Sequence, residues 1–309
     1  SYLLAPYKPR LKFTYVRELL SFSSWLMIAN FINFINTKSV ELIVGKTLGT
    51  GPLGIYTVGE SSAGMATQEL TATVNRAAYP GYAKISDARH ELKAVTLRIM
   101  NVIATIAFPA ALGFYSVALP FVMAVLGKRW LAAAPVLEII AIAGLINSLQ
   151  SNVMYVLFAL RRPRLHTLVS ALKAIALLPL IYFFSVNYGI QGAALAVLIG
   201  STVQLPVNMY FLRKLLEIGV REWISICWRP AFSAIAMTIA LHFLLNPYKD
   251  SLTEATAFIL LFCMIAVGGL AYALLLGILW AFSGRPDGFE KDALHWLRRK
   301  YSSFRRSKP

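Results

Sequence analysis

The sequence predicts an all-α, polytopic membrane protein with about eight transmembrane helices. Three observations predict it. The chain is 58% hydrophobic and only 14% charged, too apolar for an ordinary soluble domain, whose helices carry apolar stripes rather than runs apolar all round. Its apolar runs reach the length of about 20 helical residues that a bilayer core of roughly 30 Å demands. Finally, the Lys and Arg residues between the runs alternate from rich to poor. The predicted spans are 19–37, 52–75, 97–126, 131–160, 165–187, 190–212, 224–246 and 254–283.

The alternation also orients the chain. On one side lie Lys8, Arg10, Lys12 and Arg17, then Arg76, Lys84, Arg89, Lys93 and Arg98. Arg161, Arg162, Arg164 and Lys173 follow on that side, then Arg213, Lys214, Arg221 and Arg229, then the basic C-terminal tail. Of the 30 Lys and Arg, the other side holds only Lys38, Lys46, Lys128, Arg129 and Lys249. The positive-inside rule places both ends and the even-numbered connections in the cytoplasm of a multi-pass cell-membrane protein. The net charge of +16 is accounted for by topology and anionic headgroups, which speaks against nucleic-acid binding.

Taken in order, the first span carries Asn30, Asn33 and Asn36 at a spacing of three, which puts them on one face. Asn is unfavourable toward lipid, so that face turns either to a water-filled cavity or to interhelical hydrogen bonds. Gly45, Gly49, Gly51, Pro52 and Gly54 are expected to break the helix at a non-cytoplasmic turn. Ser61, Ser62, Ala63 and Gly64 give the second span a small-residue face for close packing. Pro80 and Gly81 are expected to interrupt it. Pro109 and Pro120 predict a kink or break in the third span, and Trp130 marks its outer interface. The fourth span carries a polar seam of Gly144, Asn147, Gln150, Ser151 and Asn152. A short outer hairpin, VNYGIQGA, joins the fifth and sixth, and Pro206 and Asn208 are expected to interrupt the sixth. The last two spans are nearly free of charge and read as lipid-facing additions. In the tail, Phe289, Leu294, Leu297, Tyr301 and Phe304 share a face opposite basic residues, as in an interfacial helix.

Ionisable groups within spans are the default functional candidates in a membrane protein. These are Lys38, Glu41 and Lys46, then Glu60, Glu69 and Arg76, then Glu138 and Lys173. In one reading they line an aqueous cavity for an anionic, polyhydroxylated substrate, with Lys and Arg meeting phosphate and amides meeting sugar hydroxyls. In the other they are ion pairs near the membrane ends whose long side chains snorkel. Three charges on the second span favour a polar environment there. The four His and two Cys residues show no spacing of a metal or redox site, and Cys227 and Cys263 read as small buried apolar residues. With no GxSxG, HExxH or P-loop, the chain reads as a transporter rather than an enzyme, with no cofactor.

The phrases RELLSFSSW, VELIVGKTLGTGPLGIYTVGE, NRAAYPGYAKISD and FPAALGFYSVALPFVMAVLGKRWLAAAPVLEI resemble the second half of an oligosaccharide flippase. Such proteins form part of the multidrug/oligosaccharidyl-lipid/polysaccharide superfamily, and the resemblance covers roughly residues 15–215. It implies two six-helix lobes in a V around a cavity, two further C-terminal helices, and alternating access. It also implies a lipid-linked oligosaccharide on an undecaprenyl-diphosphate carrier as substrate. Family members commonly place an Asp ahead of the LIVGK phrase, where Glu41 stands in this chain. Coupling to Na⁺ or H⁺ is a family expectation.

The expected organisation is therefore a linker at 1–14 from a missing N-terminal lobe, a six-helix lobe at 15–215, two added helices at 216–284 and a basic amphipathic tail at 285–309. The absence of an initial Met fits a crop from a longer protein. Arg76 and Lys38 are the candidates for phosphate, Asn30, Asn33 and Asn36 for cavity lining, and Glu41, Glu60 and Glu69 for ion coupling or charge balance. Expected partners are the lipid-linked glycan, membrane lipids, the missing lobe and a polysaccharide polymerase. The alternatives are a drug or cation exporter of the same superfamily, which needs an acidic, aromatic cavity, a membrane enzyme of envelope synthesis, and a purely structural scaffold.

Overall fold

The computed structural model describes residues 16–248 and 253–283. The predicted linker at 1–14 and the amphipathic tail at 285–309 lie outside the described residues. Seven α-helices follow one another: α1 (Val16–Leu48), α2 (Thr50–Lys84), α3 (Arg89–Phe121), α4 (Ala134–Ala159), α5 (Pro163–Leu216), α6 (Val220–Leu245) and α7 (Glu254–Phe282). No strand occurs among the described residues.

Helix α5 is 54 residues long, which at 1.5 Å per residue would reach about 80 Å, more than twice a bilayer core. It does not run straight. Gly189 takes φ 63°, ψ −146°, a conformation open essentially to glycine alone. Residues at matching distances either side of it then meet. Gly192 lies against the Phe184 carbonyl, and a Cβ on Gly200 would stand 2.9 Å from Leu177. Helix α5 is therefore an antiparallel hairpin with legs at 163–188 and 190–216, as the VNYGIQGA turn predicts. With both legs counted, the described residues form eight helical segments of the predicted order.

Five of the described helices are long and apolar enough to cross a membrane: Arg89–Leu126, Lys128–Ala159, Pro163–Leu216, Val220–Leu245 and Glu254–Phe282. Helices α1 and α2, of 33 and 35 residues, have the length but not that apolarity. Their polar side chains have a use described below.

Several expected breaks are corrected. Between α1 and α2 only Gly49 leaves the helix, at φ 89°. Pro52 falls in the first turn of α2, where its missing N–H costs no hydrogen bond. Helix α2 continues through Pro80 and Gly81 to Lys84, and the second leg of α5 continues through Pro206 to Leu216. Bundle neighbours and local adjustments tolerate one lost backbone hydrogen bond in a membrane helix. Helix α3 runs unbroken through Pro109. After Pro120 it loosens into a π turn, Val122–Leu126, closed by Gly127 N–H donating to the Val122 carbonyl at 2.9 Å. Arg229, at the basic end of the predicted span 224–246, lies buried within α6; Cys227 is buried as expected, but Cys263 is exposed, because it falls on the outer side of α7.

Helix α4 runs through the centre, with Val136, Leu137, Ile140, Val153 and Val156 buried. It packs against α2, α3 and α5. Close approach to α2 is allowed by glycine: a Cβ on Gly59 would stand 3.1 Å from Val136, and one on Gly144 would overlap the Thr67 hydroxyl. Helix α6 lies on α3, and α7 lies on both through Val117, Met237, Leu241, Leu261 and Met264. Helices α1 and α2 are joined by one residue, yet α1 packs mainly on α5 and α2 mainly on α4. The two diverge from their shared tip and leave a space between them.

At the basic end the helix termini are tied together. Lys93 Nζ donates to the Glu217 carbonyl at 2.8 Å and pairs with Glu222 at 2.8 Å. Arg89 donates to the Leu215 carbonyl at 3.4 Å. Both cations thus meet the carbonyl end of α5, where the helix dipole favours positive charge. Glu222 also accepts from the Gly219 N–H at 2.8 Å, capping α6.

Candidate functional site

The space between the diverging helices is a cavity of about 410 Å³. Helix α1 contributes Asn33, Asn36 and Thr37, and α2 contributes Glu60, Gln68 and Asn75. From α4 come Asn147, Ser148, Gln150, Ser151 and Tyr155. The first leg of α5 supplies His166, Ser170 and Lys173, and the second leg Gln204 and Asn208. The lining is dominated by neutral amides and hydroxyls. They sit on helices that are otherwise apolar because only the face turned to the cavity escapes lipid.

Hydrogen bonds fix the deeper part of this wall. Asn75 Nδ2 donates to Ser151 Oγ at 2.7 Å, and Asn152 Nδ2 donates to Asn75 Oδ1 at 3.0 Å and to Tyr82 OH at 2.8 Å. Asn208 Nδ2 donates to Gln150 Oε1 at 2.8 Å, and Gln150 Nε2 to the Ser201 carbonyl at 3.1 Å. Thr71 donates to Ser148 Oγ at 3.3 Å. Helix α1 is attached to α5 by Asn36 Nδ2 donating to the Ser170 carbonyl at 3.1 Å. Thr167 Oγ1 donates to the Trp25 carbonyl at 3.2 Å, and Arg164 stacks over the Trp25 ring at 5.2 Å. So the fourth-span polar seam serves two ends: part is interhelical glue, and part faces open space.

The ionisable side chains on the lining are Glu60, His166 and Lys173. Lys173 Nζ reaches Asn147 Oδ1 at 3.4 Å. His166 sets its ring edge-on to Phe158 with centroids 5.3 Å apart, and its Nε2 is buried without a partner among the described residues. Glu60 lies within electrostatic reach of Lys38 and Glu41.

The candidate residues from the sequence divide accordingly. Asn33, Asn36 and Glu60 line the cavity together. Asn30 is exposed one turn earlier. Lys38 and Glu41 pair with each other at 2.6 Å. Arg76 and Glu69 pair at 3.6 Å on the exposed side of α2. His166, Ser170 and Gln204 were not singled out by sequence reasoning. The signal that could have found the first two is the run His166, Ser170, Lys173, Leu177, a three-to-four spacing that marks one face of α5.

The chain matches the family described as polysaccharide biosynthesis protein over residues 1–135. It is 27% identical over 232 residues to the lipopolysaccharide biosynthesis protein WzxC of Escherichia coli (strain K12), covering 74% of this chain and 47% of that one. It is 21% identical over 278 residues to the succinoglycan biosynthesis transport protein ExoT of Rhizobium meliloti (strain 1021), covering 89% and 56%. The chain thus spans about half the length of these curated relatives. Among solved structures, the lipid II flippase MurJ in an inward closed conformation superposes with a TM-score of 0.65 at 13% identity, covering 91% of this chain and 58% of that one. The resemblance read from the sequence is borne out by these matches: the chain is similar in sequence to polysaccharide biosynthesis and transport proteins and shares its helical fold with a lipid II flippase.

Proposed function

We propose that the chain is a lobe of a flippase that moves lipid-linked oligosaccharide or polysaccharide repeat units across the bacterial inner membrane. The process served is the biosynthesis of O-antigen, exopolysaccharide or capsule. The observation that carries this reading is the cavity of amides and hydroxyls enclosed by membrane helices. Such groups exchange hydrogen bonds with sugar hydroxyls at the depth where lipid offers none. The names of the relatives, one in lipopolysaccharide biosynthesis and one a succinoglycan transport protein, support it. The mechanism is alternating access, with this lobe rocking against a second around the cavity while the undecaprenyl chain stays in the bilayer. Both ends face the cytoplasm in this reading, as the basic connections require. Lys38, Glu41, Glu69, Arg76 and Asn30, outside the cavity as it stands, would contribute at its rim, and Glu60 within it is the candidate for coupling to H⁺ or Na⁺.

The test is deletion and complementation with the full-length gene in its host, followed by assay of surface glycan and of lipid-linked intermediates on each membrane face. Loss of surface glycan with repeat units stranded on the cytoplasmic face is the expected result. Normal glycan with altered resistance to cationic drugs would move the function to drug export and overturn the glycan-binding role of the cavity.

A further inference from the structure

We infer that Lys173 makes the cavity selective for glycans bearing an acidic sugar, by binding the sugar carboxylate; this rests on the flippase reading above. Lys173 lies on the cavity face of α5. An ammonium has three donors, and the described contact takes one of them, at the long distance of 3.4 Å to Asn147 Oδ1. Among the ion pairs of the described residues none involves Lys173. An ammonium within a membrane helix is costly without a partner, and the groups beside it, Asn147, Asn36 and Ser170, are neutral. A bound carboxylate supplies the missing charge, and the surrounding amides then meet the neighbouring hydroxyls of the same sugar.

The alternative anion is the prenyl diphosphate of the carrier, and the charge balance of the cavity argues against it. A diphosphate carries more than one negative charge and is met by guanidinium forks or several cations. In this lobe Lys38 is held by Glu41 and Arg76 by Glu69. His166 also borders the cavity, but its Nε2 is buried. Glu60 shares the cavity, so the lining holds no surplus of cations to spread over a diphosphate. One available ammonium matches one carboxylate.

The experiment measures binding to the full-length protein in detergent micelles by calorimetry, for wild type, Lys173→Met and Lys173→Arg. The probes are tetragalacturonate, maltotetraose and geranyl diphosphate. Wild type is expected to prefer tetragalacturonate. Lys173→Met is expected to weaken that probe roughly ten- to a hundredfold, the loss of a charge-assisted hydrogen bond, and leave the other two within about twofold. Lys173→Arg is expected to retain the preference, which separates charge recognition from a folding defect. Unchanged tetragalacturonate binding in Lys173→Met overturns the inference, as does a loss confined to geranyl diphosphate or shared equally with it. Neutral and acidic glycans bound equally by wild type would also sink this inference alone, whereas binding of neither glycan would sink the flippase reading itself.

Discussion

Replacing Gly144 by Ala tests whether the α2–α4 seam is as tight as its geometry implies. A Cβ at this position would overlap the Thr67 hydroxyl and stand 3.0 Å from the Thr67 Cβ, where carbon atoms prefer about 3.5–4.0 Å. Thr67 cannot simply swing aside. It is buried, its Oγ1 donates to the Ala63 carbonyl at 2.8 Å, and its own carbonyl accepts from Ser148 Oγ at 3.2 Å. The helices must therefore separate, and overpacking of this kind costs about 1–3 kcal/mol. Thr67→Ala alone should cost about 1 kcal/mol or less, since its hydroxyl bonds only within its own helix turn. In the double variant the overlapping oxygen is gone, so the combined loss should fall short of the sum by at least about 1 kcal/mol. The assay is equilibrium unfolding in mixed micelles, titrated with a denaturing detergent and followed by tryptophan fluorescence. Additive losses, or a Gly144→Ala variant as stable as wild type, would refute the claim that direct contact holds this seam.

Four further outcomes follow from the same structure. Asn152→Leu strands Asn75 Oδ1 and takes from Tyr82 OH one of its partners, leaving Thr96; at about 0.6–1.7 kcal/mol for each interhelical bond in a membrane protein, it should cost about 1–3 kcal/mol in the same titration. Gly189→Ala meets no neighbouring atom, so its expected loss of about 1–3 kcal/mol is purely conformational, and equal stability would show that the turn takes another backbone shape. Lys93→Met should cost no more than about 1 kcal/mol, because the pair with Glu222 is partly exposed and screened, and the difference from wild type should shrink at high salt. Arg76→Ala should change stability by less than about 0.5 kcal/mol, since both members of its pair are mostly exposed. Transport by the full-length Arg76→Ala and Arg76→Lys variants, at equal expression, then reads function alone, and unchanged flipping in both would remove Arg76 from the rim of the site.

What the sequence discloses of the fold depends on how local the signal is. Apolar runs of membrane length mark α3 to α7 without reference to any partner, and VNYGIQGA marks the hairpin because φ 63° at Gly189 is a property of one residue. Helices α1 and α2 are less apolar, so their reading as spans leans also on the alternation of basic connections. The prolines misled for the opposite reason. A proline removes one backbone hydrogen bond, which is a local fact, but whether the helix ends there depends on neighbours that hold it straight. The helices pass through both Pro80 and Pro206.

The site divides along the same line. The threefold spacing of Asn33 and Asn36 and the charge at Glu60 could be read locally, and all three face the cavity. Which way a charge points could not: Arg76 lies beside Asn75 in sequence, yet Asn75 is buried in the α2–α4 network while Arg76 is exposed. The wall itself is assembled by contacts such as Asn36 with Ser170 and Gln150 with Asn208, which no periodicity within one helix can announce.

The distribution of these bonds also bears on how the cavity could change shape. Helix α2 is tied to α4 by Asn75, Thr71 and Ser148 and by the glycine contact at Gly144. Helix α1 is tied to α5 by Asn36 and by the Trp25–Thr167–Arg164 contacts. Between α1 and α2 themselves the packing is slight, and the covalent link is a single glycine at φ 89°. Helix α5 is in turn tied to α4 by Gln150 with Ser201 and Asn208 and by Lys173 with Asn147, so a tilt that carried the hairpin along with α1 would divide the α4–α5 seam, whereas a tilt of α1 alone about Gly49 leaves both α4 seams intact. The tilt of α1 alone alters the width of the cavity and exchanges only the Asn36–Ser170 and Thr167–Trp25 bonds, at groups that border the cavity or, for Thr167, keep a second acceptor in the Pro163 carbonyl. In a bundle where each unsatisfied polar group is costly, an opening that spares the hydrogen-bonded seams is favoured over one that divides them.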